Sequence, residues 1–408
     1  MSLRLPSTFA AMRHRNFRLW FLGQTLSQMG TWMQSVAQGW LVYDLTGSKF
    51  ALGAISFVGT LPTLFLMLPA GALADRVPRQ RVLLFTQATM MILAFILAVL
   101  AATGVLRVWH VGLLAAGLGI ANSFDAPARQ ALAVEMVEDR RDLMNAIALN
   151  ATIFNLARVV GPAVGGVVLA ALGAAWCFAL NGLSFLAVIV ALLMMKLPQA
   201  RREVRVEPLT AQIAAGIKYV LENPSVRTMT MLVAVASLFG FSYSVLLPAF
   251  AVDVLRVGET GLGALNAATG FGALVGSLIV ASAGKFRRKG LLLTAGSLVF
   301  PATLLFFAFS RSFWISAALL SVVGLAFVTQ NATCNTLIQS IVPDSLRGRV
   351  MAVYMLMFFG TAPFGALQAG AVAQALGPAA GVAVGAGITL TFALVILFAA
   401  PFLRRVEA

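Results

Sequence analysis

Apolar runs of span length, separated by short polar connections, recur along the whole chain. A helix rises 1.5 Å per residue, so about 20 residues cross a hydrocarbon core of roughly 30 Å. By that length criterion the chain reads as about twelve spans. Their cores begin near Phe17, Phe50, Val82, Val108, Leu143 and Trp176 in the first half, and near Met229, Leu262, Leu291, Phe313, Val350 and Val382 in the second. Composition excludes a water-soluble alternative. With 60% hydrophobic and 11% charged residues, the chain cannot cover a wet surface, which usually takes roughly 25% charge. The expected fold class is an all-α polytopic membrane protein. The N-terminal MSLRLPSTFAAMRHRNFRLW leads into a run of span length, with no small-residue cleavage site after a short core, so no cleavable signal is expected.

The net charge of +15 points to topology rather than to nucleic acid. If the N-terminus is cytoplasmic and the spans alternate, only Lys49, Arg107, Arg256 and Arg311 lie outside, and Arg158 falls within a span. The remaining Lys and Arg residues lie inside. Such asymmetry follows the positive-inside rule and predicts both termini in the cytoplasm of a plasma (bacterial inner) membrane. Attraction of these bases to anionic lipid headgroups is a secondary expectation. Cys177 and Cys334 sit far apart in apolar runs and suggest neither a disulfide framework nor a metal site.

The main break in apolar character is KLPQARREVRVEPLTAQ, residues 196 to 212, followed by AAGIKYVLENPSVR, which has the pattern of an amphipathic surface helix. The predicted organisation is therefore an N-terminal six-helix bundle (1–195), a cytoplasmic linker with an amphipathic segment (196–225) and a C-terminal six-helix bundle (226–408). The halves echo one another. GALADRVPRQRVLL from Gly71 aligns with VASAGKFRRKGLLL from Val280, matching Arg76 to Lys285 and Arg79 to Arg288, with Gly284 opposite Asp75. VEDRRDLMNAIAL from Val137 aligns with VPDSLRGRVMAVYM from Val342, matching Asp139 to Asp344. Two pseudo-symmetric bundles related by an axis along the membrane normal suit an alternating-access carrier with its site near the midplane.

The stretch LADRVPRQR crowds Asp75, Arg76, Arg79 and Arg81 between two apolar runs. Topology alone would account for the arginines but not for the acid. A loop this short joins the ends of the second and third spans. Asp75 can there accept from free N–H groups at a helix N-terminus, where the dipole favours an anion. The segment from Gly71 to Arg81 resembles the loop motif of the major facilitator superfamily, Gly-x-x-x-Asp-Arg-x-Gly-Arg-x-Arg/Lys. Gly71, Asp75, Arg76, Arg79 and Arg81 match, and Pro78 stands where Gly is usual. The resemblance implies a twelve-helix major facilitator fold and an inner gate built from these residues. It nominates Asp125 as the carboxylate for Arg79. NFRLWFLGQTLSQMGTWMQSVAQGWLVYDLTGS and DAPARQALAVEMV further resemble the branch containing enterobactin (siderophore) exporters and macrolide efflux pumps. That branch implies a secondary exporter of bulky amphiphilic small molecules, with protons as coupling ion.

Candidate contact residues come from polar groups inside spans. Gln24, Gln28, Thr31, Ser35 and Gln38 recur every three or four residues on one helical face, with Gln34 beside it. Amides facing lipid are costly, so the stripe faces either a wet cavity or a partner helix. Arg158 is the sole charge near the middle of a span and shares a face with Asn150 and Phe154. An intramembrane ion is a functional candidate by default. Gly161, Pro162, Gly165 and Gly166 follow at once; this stretch resembles the Gly-Pro-x-x-Gly-Gly motif of superfamily exporters and offers a place to bend. Gln330 and Asn331 give the second half its own polar surface, and Phe239, Phe241, Tyr243 and Pro248 an aromatic, bent segment.

Other classes lack their chemistry. There is no nucleophile–base pair or metal cluster for an enzyme, and no phosphate-cradling Gly-x-x-x-x-Gly-Lys-Ser/Thr loop for a primary pump. No cofactor is implied. No acid sits at a span midplane, so Asp125 is the first candidate for proton coupling. A lipid or lysolipid carrier, or a facilitator without proton coupling, is the alternative. Each chain holds both halves of a carrier, so function as a monomer is expected.

Overall fold

A computed structural model of the chain describes residues 7–137, 140–195, 209–282 and 289–405. Among these residues the regular structure is helical throughout, as lipid demands: a helix satisfies its own backbone, and an open strand does not. The first half contributes α1 (Arg15–Thr46), α2 (Lys49–Arg76), α3 (Arg79–Ala102), α4 (Val108–Glu135), α5 (Leu143–Leu172) and α6 (Ala174–Met194). A short α7 (Leu209–Glu222) precedes α8 (Pro224–Leu255), α9 (Gly258–Ser282), α10 (Lys289–Phe309), α11 (Phe313–Ile341), α12 (Asp344–Leu376) and α13 (Pro378–Ala399). Ten of these are long and apolar enough to cross a membrane. Of comparable length, α1 and α4 are diluted by the polar residues the sequence singled out: the glutamines of α1, and Asp125 and Arg129 of α4. With them each half has its six helices. Large side chains such as Phe85, Trp314 and Phe398 stand more than 70% exposed on the outer faces, where lipid replaces water as the solvent.

Two compact units emerge: Met1–Leu41 with Leu61–Arg205, and Val42–Thr60 with Val206–Ala408. The turn between α1 and α2 thus belongs to the second unit. In the first unit, Phe17 and Trp20 of α1, Leu83 of α3, Leu132 of α4 and Leu192 of α6 are buried in one cluster. In the second, Met229 and Val233 of α8 meet Leu293 of α10, Leu337 and Ile338 of α11, and Val350 and Tyr354 of α12. Gly272 and Gly276 let α9 approach α11 closely; a Cβ on Gly276 would sit 2.5 Å from the Leu325 carbonyl. These glycines are packing residues of a kind common in membrane helices.

α7 falls within the amphipathic segment expected from sequence. It buries Val220 against α12 and lays Gly216 on the Arg349 backbone, while Lys218 and Glu222 stay exposed. α8 is not uniform. It is α-helical over Pro224–Val235 and Tyr243–Ala249, and π-helical over Ala236–Gly240 and Phe250–Leu255. The π turns flank the bend expected around Pro248, and such turns are frequent at functional sites. Several expectations lie outside the described residues: linker residues 196–208, the echo at Gly284, Lys285 and Arg288, and Asp139.

Candidate functional site: the α2–α3 loop, the α1–α5 contact and the α11 polar face

The loop motif lies between α2 and α3. The side chains of Asp75 and Arg76 are outside the described residues. Gly71 lies inside α2 with nothing near the place of a Cβ, so helix approach does not demand glycine there. Pro78 has φ −52°, an ordinary proline value, so the turn needs no left-handed residue where Gly is usual. Its carbonyl accepts from the Arg81 N–H at 2.9 Å, and Arg81 itself is exposed.

Arg79, the first residue of α3, is 8% exposed; its guanidinium pairs with Glu135 and donates to the Ala131 carbonyl at 3.1 Å. It therefore ties the start of α3 to the last turn of α4. Asp125, nominated as its partner, lies ten residues earlier on α4. It is 1% exposed and accepts from Thr86 Oγ1 at 3.0 Å and Gln87 Nε2 at 2.8 Å, both on α3, with Arg129 at 3.4 Å on its own helix. The α3–α4 seam thus carries two carboxylate stations. One pairs with a cation from the next helix; the other is held mainly by neutral donors. Glu135, Thr86 and Gln87 were not singled out by sequence reasoning. The available signal was two adjacent polar residues interrupting the apolar run of α3.

The α1 stripe divides in the structure. Gln24 is 3% exposed, and among the described residues its Nε2 has no partner. Thr31 and Ser35 donate to the carbonyls of Ser27 and Trp32 within α1, and Gln28 and Gln38 are half-buried. Gln34 is buried and accepts from Asn181 of α6 at 2.7 Å. Asn181 was also missed; it is a lone amide among the apolar residues of α6. Gln34 thereby acts as a link between helices; Gln24 is as buried as Gln34, while Gln28, Thr31, Ser35 and Gln38 lie on a less buried face.

The Gly161–Gly166 stretch is where α5 meets α1. A Cβ on Gly161 would lie 2.7 Å from both the Met29 carbonyl and Trp32 Cβ, and one on Gly165 would lie 3.0 Å from Met33 Cα. Pro162 is accommodated inside the continuous helix. The close approach has a chemical result one turn earlier. Arg158 places its guanidinium carbon 5.7 Å from the centre of the Trp32 ring, and Phe154 meets that ring edge-on at 6.0 Å. A guanidinium over an indole face is a cation–π arrangement, strengthened where water is excluded. Asn150 lies on the same side of α5, half-buried.

On α11, Gln330 is 1% exposed and donates weakly to the Leu232 carbonyl at 3.4 Å. Among the described residues, its Oε1, Asn331 Oδ1 and the hydroxyls of Thr329 and Thr333 have no hydrogen-bond partner. One turn along, Phe327 stacks on Phe241 of α8 at 4.9 Å, and Phe300 of α10 lies 5.0 Å away. An aromatic wall therefore adjoins a short run of unsatisfied polar atoms.

Long apolar helices with polar side chains buried between them mark an integral membrane protein. The chain matches the family of transmembrane secretion effectors, within the major facilitator superfamily, over residues 6–408, and it belongs to that family. It is 28% identical to the multidrug efflux pump Tap of Mycolicibacterium fortuitum over 357 residues, covering 85% of this chain and 87% of the relative. It is 25% identical to the enterobactin exporter EntS of Shigella boydii over 397 residues, covering 96% and 93%. Its fold resembles the crystal structure of a bacterial homologue of the human lysosomal transporter Spinster, with a TM-score of 0.71, 14% identity and 96% of each chain covered.

Proposed function

We propose that the chain is a secondary exporter of bulky, partly polar small molecules, working by alternating access in the bacterial inner membrane with protons as the counter-ion. The observation that carries this reading is the Arg158–Trp32–Phe154 cluster on the α1–α5 contact. It puts a cation and two rings together where two spans meet, chemistry suited to an amphiphile with an aromatic or anionic part. The efflux pump and siderophore exporter among the relatives support export of such compounds. Gln24, Gln28, Thr31, Ser35, Gln38 and Asn150 complete the polar contacts on this side, and Gln330 and Asn331 on α11 supply them in the second half. Gly161 and Gly165 act as the surface on which α5 pivots against α1.

The inner gate comprises Gly71, Asp75, Arg76, Arg79 and Arg81 with Asp125, both termini being cytoplasmic. Asp125 is the first coupling candidate, because it is a buried acid within a span, with Thr86, Gln87 and Arg129 as its partners. The carrier works as a monomer. The test is efflux of ethidium, a macrolide and a catecholate siderophore from cells expressing the protein, with and without a protonophore, beside Asp125→Asn. Protonophore-sensitive efflux that the variant lacks is the expected result. Efflux indifferent to the protonophore would overturn proton antiport. Transport of none of the three would move lipid substrates forward.

A further inference from the structure

The second unit contains a charged assembly that the inner gate does not involve. Asp253 lies in the closing π turn of α8, Phe250–Leu255, which ends at Arg256 in a left-handed conformation (φ 54°). Its carboxylate receives the Lys49 ammonium at 2.8 Å, from the first residue of α2. The Tyr43 hydroxyl, from the last turns of α1, donates to both carboxylate oxygens at 2.7 Å. Tyr43 is 7% exposed, while the Asp253 side chain keeps 31% of its surface in contact with solvent. The Lys49 ammonium also stands 5.6 Å from the centre of the Tyr43 ring.

The same turn is fastened a second time. Gln374 Oε1 of α12 accepts from the N–H groups of Lys49 (2.9 Å) and Phe50 (3.3 Å) and from the Ser48 hydroxyl (3.2 Å). The first N–H groups of a helix have no partner within it, and an N-terminus is ordinarily capped by its own chain neighbour. Here Ser48 Oγ accepts from the Ala51 N–H at 3.2 Å in the ordinary way, and the amide of a distant helix takes the N–H groups of Lys49 and Phe50. Below the cap, Gly53 and Gly370 let the backbones of α2 and α12 touch: a Cβ on Gly370 would lie 2.8 Å from the Lys49 carbonyl. Phe57 meets Phe364 edge-on at 5.7 Å. The other titratable residues of these segments are Asp44, Arg256 and Glu259; among the described residues none pairs with Asp253. α12 presents only the neutral Gln374 here.

We propose that Lys49, Tyr43 and Asp253 form a proton-released latch that fastens the α1–α2 turn to α8 and α12, and that Asp253 is a second coupling residue beside Asp125. The inference rests on the alternating-access reading above, and it names the control at the end of the spans away from the α2–α3 loop. A proton from bulk water binds one Asp253 oxygen. The Lys49 ammonium keeps its own protons and loses its counter-charge. The Tyr43 hydroxyl still donates to the other oxygen, so the acid stays in place for the latch to re-form when the proton leaves. The cap from Gln374 is charge-neutral and alone holds the turn more weakly.

The test reads opening without needing a substrate. Ala366, on α12 beside Gly53, is 3% exposed, and both native thiols are fully buried. In full-length Ala366→Cys protein in liposomes, a charged maleimide reports exposure of this seam. Asp253→Asn should raise the labelling rate roughly fivefold, the factor for losing about 1 kcal/mol of partly exposed ion pair. Lys49→Gln should act in the same direction, and the exchanged pair Lys49→Asp with Asp253→Lys should restore slow labelling. The rate at mildly acidic pH relative to the rate at neutral pH should exceed the same ratio for the Asp253→Asn protein, which controls for thiol chemistry. Unchanged labelling in both single variants, failure of the exchanged pair to restore closure, or an equal pH ratio would each overturn the latch. Efflux assays measure the broader reading separately: a labelling response with no proton-driven efflux would leave the latch standing and remove the antiport, and with it the coupling role of Asp253.

Discussion

Asp125 and Asp253 are both acids near the ends of spans, and they are stabilised by opposite means. Asp125 is buried at 1% exposure, and its close partners are a hydroxyl and an amide from the neighbouring α3. Asp253 is partly open to solvent and is matched by a full positive charge. A buried carboxylate held by preorganised neutral donors is expensive to strand, because low dielectric magnifies any unmet demand. A partly exposed ion pair contributes less and is easier to break and remake. The first arrangement makes a change of charge at Asp125 costly and felt by both α3 and α4; the second suits a contact that opens and re-forms readily.

Breaking the first arrangement should give the largest effect. Thr86→Val with Gln87→Leu removes both close donors and leaves Asp125 buried with Arg129 alone. A loss of about 3 kcal/mol is expected, measured by thermal unfolding in detergent. Adding Asp125→Leu should recover much of it, because removing both sides of a buried interaction is nearly neutral. If the double variant unfolds at the parental temperature, the neutral donors are not what holds the acid.

At the other acid, Lys49→Met should cost about 1 kcal/mol. Raising sodium chloride to about 1 M, where the screening length falls to roughly 3 Å, should shrink the gap between variant and parent. The Thr86/Gln87 effect should persist in the same salt. Equal salt sensitivity at the two sites would dissolve the contrast between them. The smallest effect belongs to Arg129→Gln. Its contact with Asp125 is long, at 3.4 Å, and lies within one helix with the arginine 30% exposed, so about 0.3 kcal/mol is expected. A larger loss would show that Asp125 depends on charge after all.

Much of this architecture was legible in the chain. The spans follow from apolar length. The loop motif identified the superfamily on five residues. The glycines of α5 were legible as a close-approach surface, though not as the reason Arg158 stands over Trp32. The partners of the charged groups were harder to read. Arg79 was directed to Asp125 by resemblance, and the structure pairs it with Glu135. Gln34 belonged to a stripe in sequence, yet its amide is occupied by Asn181 of α6. A 3.6-residue period places a side chain on a face of its helix and is silent about which helix covers that face.

The sequence by itself determined that this chain crosses a membrane many times, as a member of a transporter family. Those properties are local or repeated, since span length, charge asymmetry and loop motifs need no knowledge of distant contacts. Only the tertiary structure decided which polar groups meet. Tyr43 and Asp253 are 210 residues apart, and nothing in either neighbourhood specifies the other. Their meeting depends on close backbone approach at Gly53 and Gly370, on a π turn that closes α8, and on a glutamine of α12 that caps α2. In lipid, where apolar surface gives no direction to helix pairing, it is such close packing and interhelical hydrogen bonding that select partners.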